Sequence, residues 1–199
     1  PRPHVIDHRP HAPAANGQLQ RAAALINRSH RPVLYAGGGV LISGACAELR
    51  QLAHKANIPC TTTLLGLGAF DETDPRSLRM LGMHGSAAAN YAVQECDCLI
   101  AVGARFDDRV TSNLATFAPK ASIVHVDIDP SSINKLVRVD VELEGDARTT
   151  LKRLLRLVES RPRRTWFARI HSWKKQHPFR YMDDSPRPKP QFVIEEIRR

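Results

Sequence analysis

Three stretches constrain this chain more than anything else in it. PVLYAGGG (32–39), DCLIAVGAR (97–105) and SIVHVDIDP (122–130) each carry a short apolar run that closes on glycine or aspartate. Runs of this length, rich in Val, Ile and Leu, read as strands covered on both faces. IPCTTTL (58–64) and VRVDVELEGD (137–146) read as two more strands, and residues 65–79 as a Gly- and Asp-rich loop. Helical patterns lie between them. LQRAAALINRS puts Leu19, Ala22, Ala23 and Ile26 on one face. SGACAELRQLAHKA follows with Ser43 as its N-cap, then SAAANYAVQEC, and near the end ARTTLKRLLRLVES. Strand–helix alternation with such strands predicts an α/β fold: a doubly wound, mostly parallel, five- or six-stranded sheet with helices on both faces, Rossmann-like.

The chain has 199 residues, 42% of them hydrophobic, enough for one domain and its flanks. Residues 1–16, rich in Pro and His, read as a linker, 17–160 as a dinucleotide-binding domain, and 161–190 as a basic helix with a Pro-rich linker. Residues 191–199 read as the start of a further domain. Pro1 in place of Met, and the stop inside a helical pattern, fit a piece of a longer protein. In RTWFARIHSWKKQ, Trp166, Ile170 and Trp173 share one face, expected to pack on a neighbouring domain outside the chain.

Several function classes are disfavoured. No run approaches the ~20 apolar residues that a bilayer crossing needs, and no signal peptide is visible. The net charge of +9 is concentrated after Lys152, so it describes a solvated tail better than a nucleic-acid interface. Cys96 and Cys98 are one residue apart, which is not CxxC spacing. Together with Cys46 and Cys60 they read as reduced, structural thiols. His4, His8 and His11 are loosely spaced in the linker and read as solvated rather than metal-binding. No Ser-His-Asp order, HExxH or zinc spacing occurs.

In open α/β sheets ligands collect at the carboxyl ends of the strands. Gly37, Gly38 and Gly39 end the first strand here, and Thr63, Leu64 and Leu65 the second. Gly103, Ala104 and Arg105 follow the third, Asp127 and Ile128 the fourth, Gly145 and Asp146 the last. Glycines at these points let backbone N–H groups approach a phosphate, or simply permit tight turns. Arg105 and Arg109 suit an anionic group, and a strand-end acid suits a ribose or adenine. The triple glycine is not G-x-G-x-x-G, since Ile42 holds the third position, and no P-loop Lys follows. Asp107 and Asp108 read as solvated or salt-bridged rather than as an acid–base pair, because adjacent residues point apart. His84, between glycines, is placed to touch a ligand. His125, mid-strand, reads as a core histidine.

The same segments carry a resemblance. LLGLGAF near 65–70, LGMHG (81–85), GARFDDRVT (103–111), HVDIDP (125–130) and EGDA (144–147) resemble, in this order, the central domain of the acetohydroxyacid (acetolactate) synthase family. These are large catalytic subunits of thiamine-diphosphate-dependent transferases. The resemblance runs from about Arg31 to Leu157. It implies a subunit whose first domain supplies the cofactor-activating glutamate and whose third holds magnesium and diphosphate through a GDG…N motif; neither is found in this sequence. It implies that the central domain binds FAD in a structural role. The full-length enzyme would condense two pyruvates to 2-acetolactate, or pyruvate with 2-ketobutyrate, in branched-chain amino-acid biosynthesis, while this chain alone is inactive, with no catalytic or metal-binding residue.

By position, the implied FAD contacts are Gly37, Gly38 and Gly39, then Thr63, Leu64 and Leu65. Leu81, Gly82, Met83 and His84 follow, and after them Gly103, Ala104, Arg105, Asp107, Arg109 and Val110. Asp127, Ile128, Gly145, Asp146 and Ala147 complete the set. Family members often have Met at position 65 and Val at 104, and Leu65 and Ala104 keep the apolar character. Met83, His84 and Asp107 to Arg109 would also border the substrate channel, where herbicidal inhibitors sit. The implied partners are the subunit's own N- and C-terminal domains, further copies and a regulatory small subunit, with no nucleic acid and no membrane. The implied compartment is a bacterial cytoplasm or a plastid or other organellar matrix. Two other readings of the residues are a stand-alone adenine-nucleotide-binding regulator and a basic nucleic-acid-binding protein.

Overall fold

The computed structural model describes residues 14–182 and 187–198. Most of the 1–16 linker, with His4, His8 and His11, and part of the Pro-rich linker lie outside the described residues. In chain order the elements are α1 (Asn16–Arg28), β1 (Pro32–Ala36), α2 (Gly38–Ile42), α3 (Cys46–Lys55), β2 (Cys60–Thr62), β3 (Ser77–Met80), α4 (Ala87–Glu95) and β4 (Cys98–Val102). Then come α5 (Asp108–Thr111), β5 (Ser122–Asp127), β6 (Val141–Glu144), α6 (Ala147–Leu157), α7 (Arg164–Gln176) and α8 (Pro190–Arg198).

The six strands form one sheet in the order β3-β2-β1-β4-β5-β6, and every pairing is parallel. This is the strand order of doubly wound dinucleotide-binding sheets, whose direction of winding reverses between β1 and β4. All five residues of β1 and of β4 are buried, as strands covered on both faces require. Alternate residues feed two cores. Leu34, Ile100 and Val124 point to one, with Leu19 and Ile26 of α1, Leu49 and Leu52 of α3, and Leu151 and Leu154 of α6. Val33, Tyr35, Leu99 and Ala101 point to the other, with Ala89, Ala92 and Val93 of α4. The i, i+3, i+4, i+7 spacing of Leu19, Ala22, Ala23 and Ile26 is what places all four on the buried face of α1. The edge strand β6 alternates instead, burying Val141 and Leu143 and exposing Glu142 and Glu144.

Three sequence expectations need correction. Residues 77–79, the end of the stretch read as loop, belong to the edge strand β3. It pairs with β2 through an irregular register at Cys60/Thr61, and Arg79 takes a positive φ of 63°. That break removes the alternation by which a strand is recognised. Ser43 is not the N-cap of α3. It closes the short helix α2 with its hydroxyl on the Val40 carbonyl, and Ala45 precedes α3 without a side-chain cap. Finally, α7 does not present its aromatic face to a neighbour. Trp166 and Ile170 are 2% and 1% exposed in the core they share with α4. Trp166 Nε1 donates to the Pro32 carbonyl at 3.1 Å, and Trp173 packs edge-on against it. Burying side chains of this size stabilises by about 2–3 kcal/mol each, enough to fold α7 back onto the sheet.

Candidate dinucleotide site

With all strands parallel, their carboxyl ends share one edge, and a groove of about 760 Å³ opens there across the winding switch between β1 and β4. Its volume lies within the ~300–1,000 Å³ of small-molecule and cofactor sites. A hollow of about 270 Å³ at the opposite edge, lined by Arg21, Arg28, Ser122 and Asp140, is too small for a dinucleotide.

The floor of the groove is made by two turns in backbone contact. Gly37 N donates to Val102 O at 2.9 Å, Gly39 N to Gly103 O at 3.0 Å, and Gly103 N to Val126 O at 2.8 Å. A Cβ on Gly37 would sit 2.1 Å from the Gly103 carbonyl oxygen, and one on Gly103, whose φ is +53°, would sit 2.6 Å from Gly39 Cα. No side chain fits between turns this close. The tight-turn account of Gly37, Gly39 and Gly103 is therefore sufficient by itself, and their amides are engaged in the protein rather than reserved for a phosphate.

The walls carry the chemistry. Gly38, Thr63, Leu64 and Leu65 line the β1–β2 side, with the Thr63 hydroxyl accepting from Gly66 N at 2.9 Å. Ala104, Arg105, Asp107, Arg109 and Val110 line the side after β4, and Asp127, Ile128, Asp146 and Ala147 the far end. Asp107 caps α5. Its carboxyl is held below the usual range first by a hydrogen bond with the Asp108 side chain, then by the Arg109 amide. Asp127 accepts from the Asp129 amide at 2.9 Å, leaving its other oxygen 3.6 Å from His125 Nε2. Asp146 caps α6 by accepting from Thr149 N at 2.8 Å. The groove thus has a guanidinium-bearing wall, an acidic far end and an apolar rim, with Leu64 69% and Leu65 71% exposed.

Five of the expected contact residues do not line this groove. Gly145 lies behind it, donating from its amide to the Asp127 carbonyl at 2.9 Å. Leu81, Gly82, Met83 and His84 follow β3. Leu81 is buried in the α4 core, while Met83 and His84 are exposed. They adjoin the groove through Arg109, whose carbonyl accepts from Met83 N at 3.2 Å and leaves no room for a Cβ on Gly82. The structure adds Tyr35, Ile42, Ser43, Asp129 and Ser132 to the lining. Of these, Asp129 was legible: in Asp129-Pro130-Ser131 the carboxylate accepts from the Ser131 amide at 2.9 Å, an Asx turn at a strand end. Ile42 and Ser43 required knowledge that residues 38–42 are helical, and Tyr35 that its strand is central.

Residues 19–154 match the family model of the thiamine pyrophosphate enzyme central domain. The chain is 47% identical over 192 residues to the mitochondrial acetolactate synthase catalytic subunit of Saccharomyces cerevisiae, covering 90% of this chain and 28% of that protein. It is 46% identical over 195 residues to an acetolactate synthase large subunit of Parasynechococcus marenigrum, covering 96% and 31%. With acetolactate synthase isozyme 3 large subunit of Escherichia coli the identity is 40% over 190 residues, covering 92% and 33%. The chain therefore spans about a third of the length of these relatives. The matches support neither a stand-alone regulator nor a nucleic-acid-binding protein. Among the described residues, no helix is long and apolar enough to cross a membrane.

Proposed function

The chain belongs to the thiamine pyrophosphate enzyme family as its central domain, and from that premise we propose that it is the FAD-binding portion of an acetolactate synthase large subunit. The observation that carries the reading is the groove: one dinucleotide-sized cleft at the winding switch, cationic on one wall and acidic at the far end. Arg105 and Arg109 would meet the pyrophosphate. Asp127 and Asp146 would accept from ribose and adenine donors. Leu64, Leu65 and Ile128 would cover apolar ring surface, and Gly82 to His84 would border the same ligand beyond Arg109.

The full-length subunit would condense two pyruvates to 2-acetolactate with release of carbon dioxide, or pyruvate with 2-ketobutyrate. Thiamine diphosphate and magnesium would be held in its other domains, and this domain would contribute FAD binding and no catalytic residue. Its partners would be those domains, further copies of the subunit and a regulatory small subunit, in a bacterial cytoplasm or an organellar matrix.

The test is a titration of the chain with FAD, followed by flavin fluorescence at low and moderate salt. Saturable, salt-tolerant binding that Arg105→Ala and Asp127→Ala each weaken about tenfold or more is the expected result, since a charge-assisted hydrogen bond is worth about 1.5–3 kcal/mol. Binding that neither change weakens would remove the groove from the account. So would an absence of binding at millimolar FAD, about −4 kcal/mol, both in this chain and in a full-length subunit.

A further inference from the structure

The turn that carries Arg105 into the groove is held from below by a row of side chains on three adjacent strands. Tyr35 of β1 and His125 of β5 both pair in register with Ala101 of β4. All three are fully buried on the same face of the sheet. Because Ala101 is small, the space above it is free. Phe106 drops into it, its ring centroid 6.0 Å from Tyr35 and 5.2 Å from His125. The two polar tips then meet successive carbonyls of the turn. His125 Nε2 lies 3.0 Å from the Ala104 oxygen, and the Tyr35 hydroxyl 3.4 Å from the Arg105 oxygen. A carbonyl only accepts, so Nε2 carries the hydrogen. The same nitrogen is 3.6 Å from the Asp127 carboxylate, while Nδ1 is buried without a hydrogen-bond partner among the described residues.

We infer that His125 is a positioning residue of the groove, acting through its ε nitrogen alone. Its one hydrogen bond, to the Ala104 carbonyl, ties the turn after β4, which carries Arg105, to β5, which carries Asp127 two residues further on. It thereby sets the spacing between the cationic wall and the acidic far end. A purely space-filling histidine would not need this hydrogen bond. The inference rests on the dinucleotide reading for its effect on a ligand, but the tether itself exists in the free chain.

Two substitutions separate the roles. His125→Gln can return an amide N–H near the ε position, whereas His125→Phe keeps the ring and its volume without a donor. In the ligand-free chain, hydrogen exchange at the amides of Gly103 and Gly39, which donate to the Val126 and Gly103 carbonyls around this turn, is expected to rise about tenfold in His125→Phe and to stay within about threefold of the parent in His125→Gln, as the loss or retention of one buried hydrogen bond implies. FAD affinity should follow the same order, weaker in Phe and restored in Gln. If the Phe variant does not fold, Tyr35→Phe, which deletes one hydroxyl, is expected to raise exchange at the same two amides by a smaller factor. Equal behaviour of Gln and Phe, or acceleration spread evenly over the sheet, would overturn the tether. Failure of both the parent chain and a full-length subunit to bind FAD would instead count against the dinucleotide reading, with the exchange result still deciding the role of His125.

Discussion

The two edges of the sheet are built on opposite plans. At the amino edge, charged side chains reach back onto the backbone. The Asp97 carboxylate accepts from the Ser29 hydroxyl and from the amides of His30 at 2.8 Å and Arg31 at 2.9 Å, tying the entry to β1 to the entry to β4. The Arg163 guanidinium, in a residue 6% exposed, donates to the carbonyls of Ala56, Ile26 and Ser29. Those carbonyls sit where α1 and α3 end, and the last turn of a helix favours a cation. At the carboxyl edge the polar groups of the groove face outward and apolar side chains stand in solvent, with Ile42 90% exposed. Ser112, just past α5, has φ 50° and ψ −109°, a region that suits glycine. One edge holds the fold together and the other opens into the groove. Parallel strands make that division possible, because all of their entries lie on one side and all of their exits on the other.

The strongest way to break the comparison is at Arg163. Arg163→Met removes every donor from those helix-end carbonyls and should cost about 3 kcal/mol in urea unfolding, as loss of a buried charged hydrogen-bonding group does. FAD affinity, read at the other edge, should be unchanged. A loss below about 0.5 kcal/mol, the range of ordinary surface substitutions, would mean that the amino edge is not the lock.

Asp97 gives the next largest effect and adds a pH signature. Burial pushes its carboxyl up, but the Ser29 hydroxyl and the His30 and Arg31 amides outweigh this and hold it below the usual carboxylate value. A carboxyl whose value is lowered by folding contributes stability above its unfolded value, about 3.9. That stability is lost as pH falls through the lower folded value. Asp97→Asn should therefore cost about 2 kcal/mol at neutral pH, the scale of charged hydrogen bonds, and flatten stability against pH below about pH 4. A parent and variant with parallel pH profiles would sink this account.

The smallest effect sharpens the carboxyl edge. Ser112→Gly relieves a conformation that L side chains rarely adopt and should raise stability by about 1 kcal/mol, allowing for the extra freedom of glycine in the unfolded chain. A lower melting temperature in this variant would show that Ser112 is not strained.

Much of the candidate site was legible before any fold was known, because strand ends in such sheets are marked by their own chemistry. Gly37, Gly103 and Asp127 stand where apolar runs stop. What was not legible came from long-range packing. The edge strand β3 has no alternation to announce it. Ser43 looks like an N-cap until the preceding residues are seen to be helical, and the aromatic face of α7 looks unpartnered until the sheet is there to receive it.

The sequence by itself determined the alternation of elements, the burial of the central strands and the residues at their exits, since these follow from the local period of apolar side chains and from where it ends. Tertiary structure alone decided which exits share a groove, that the glycines serve turn-to-turn contact, and that His125 reaches Ala104 and Asp127 from beneath. Those outcomes depend on which strands lie side by side and in what register, and a register between segments far apart in the chain leaves no trace in either segment alone.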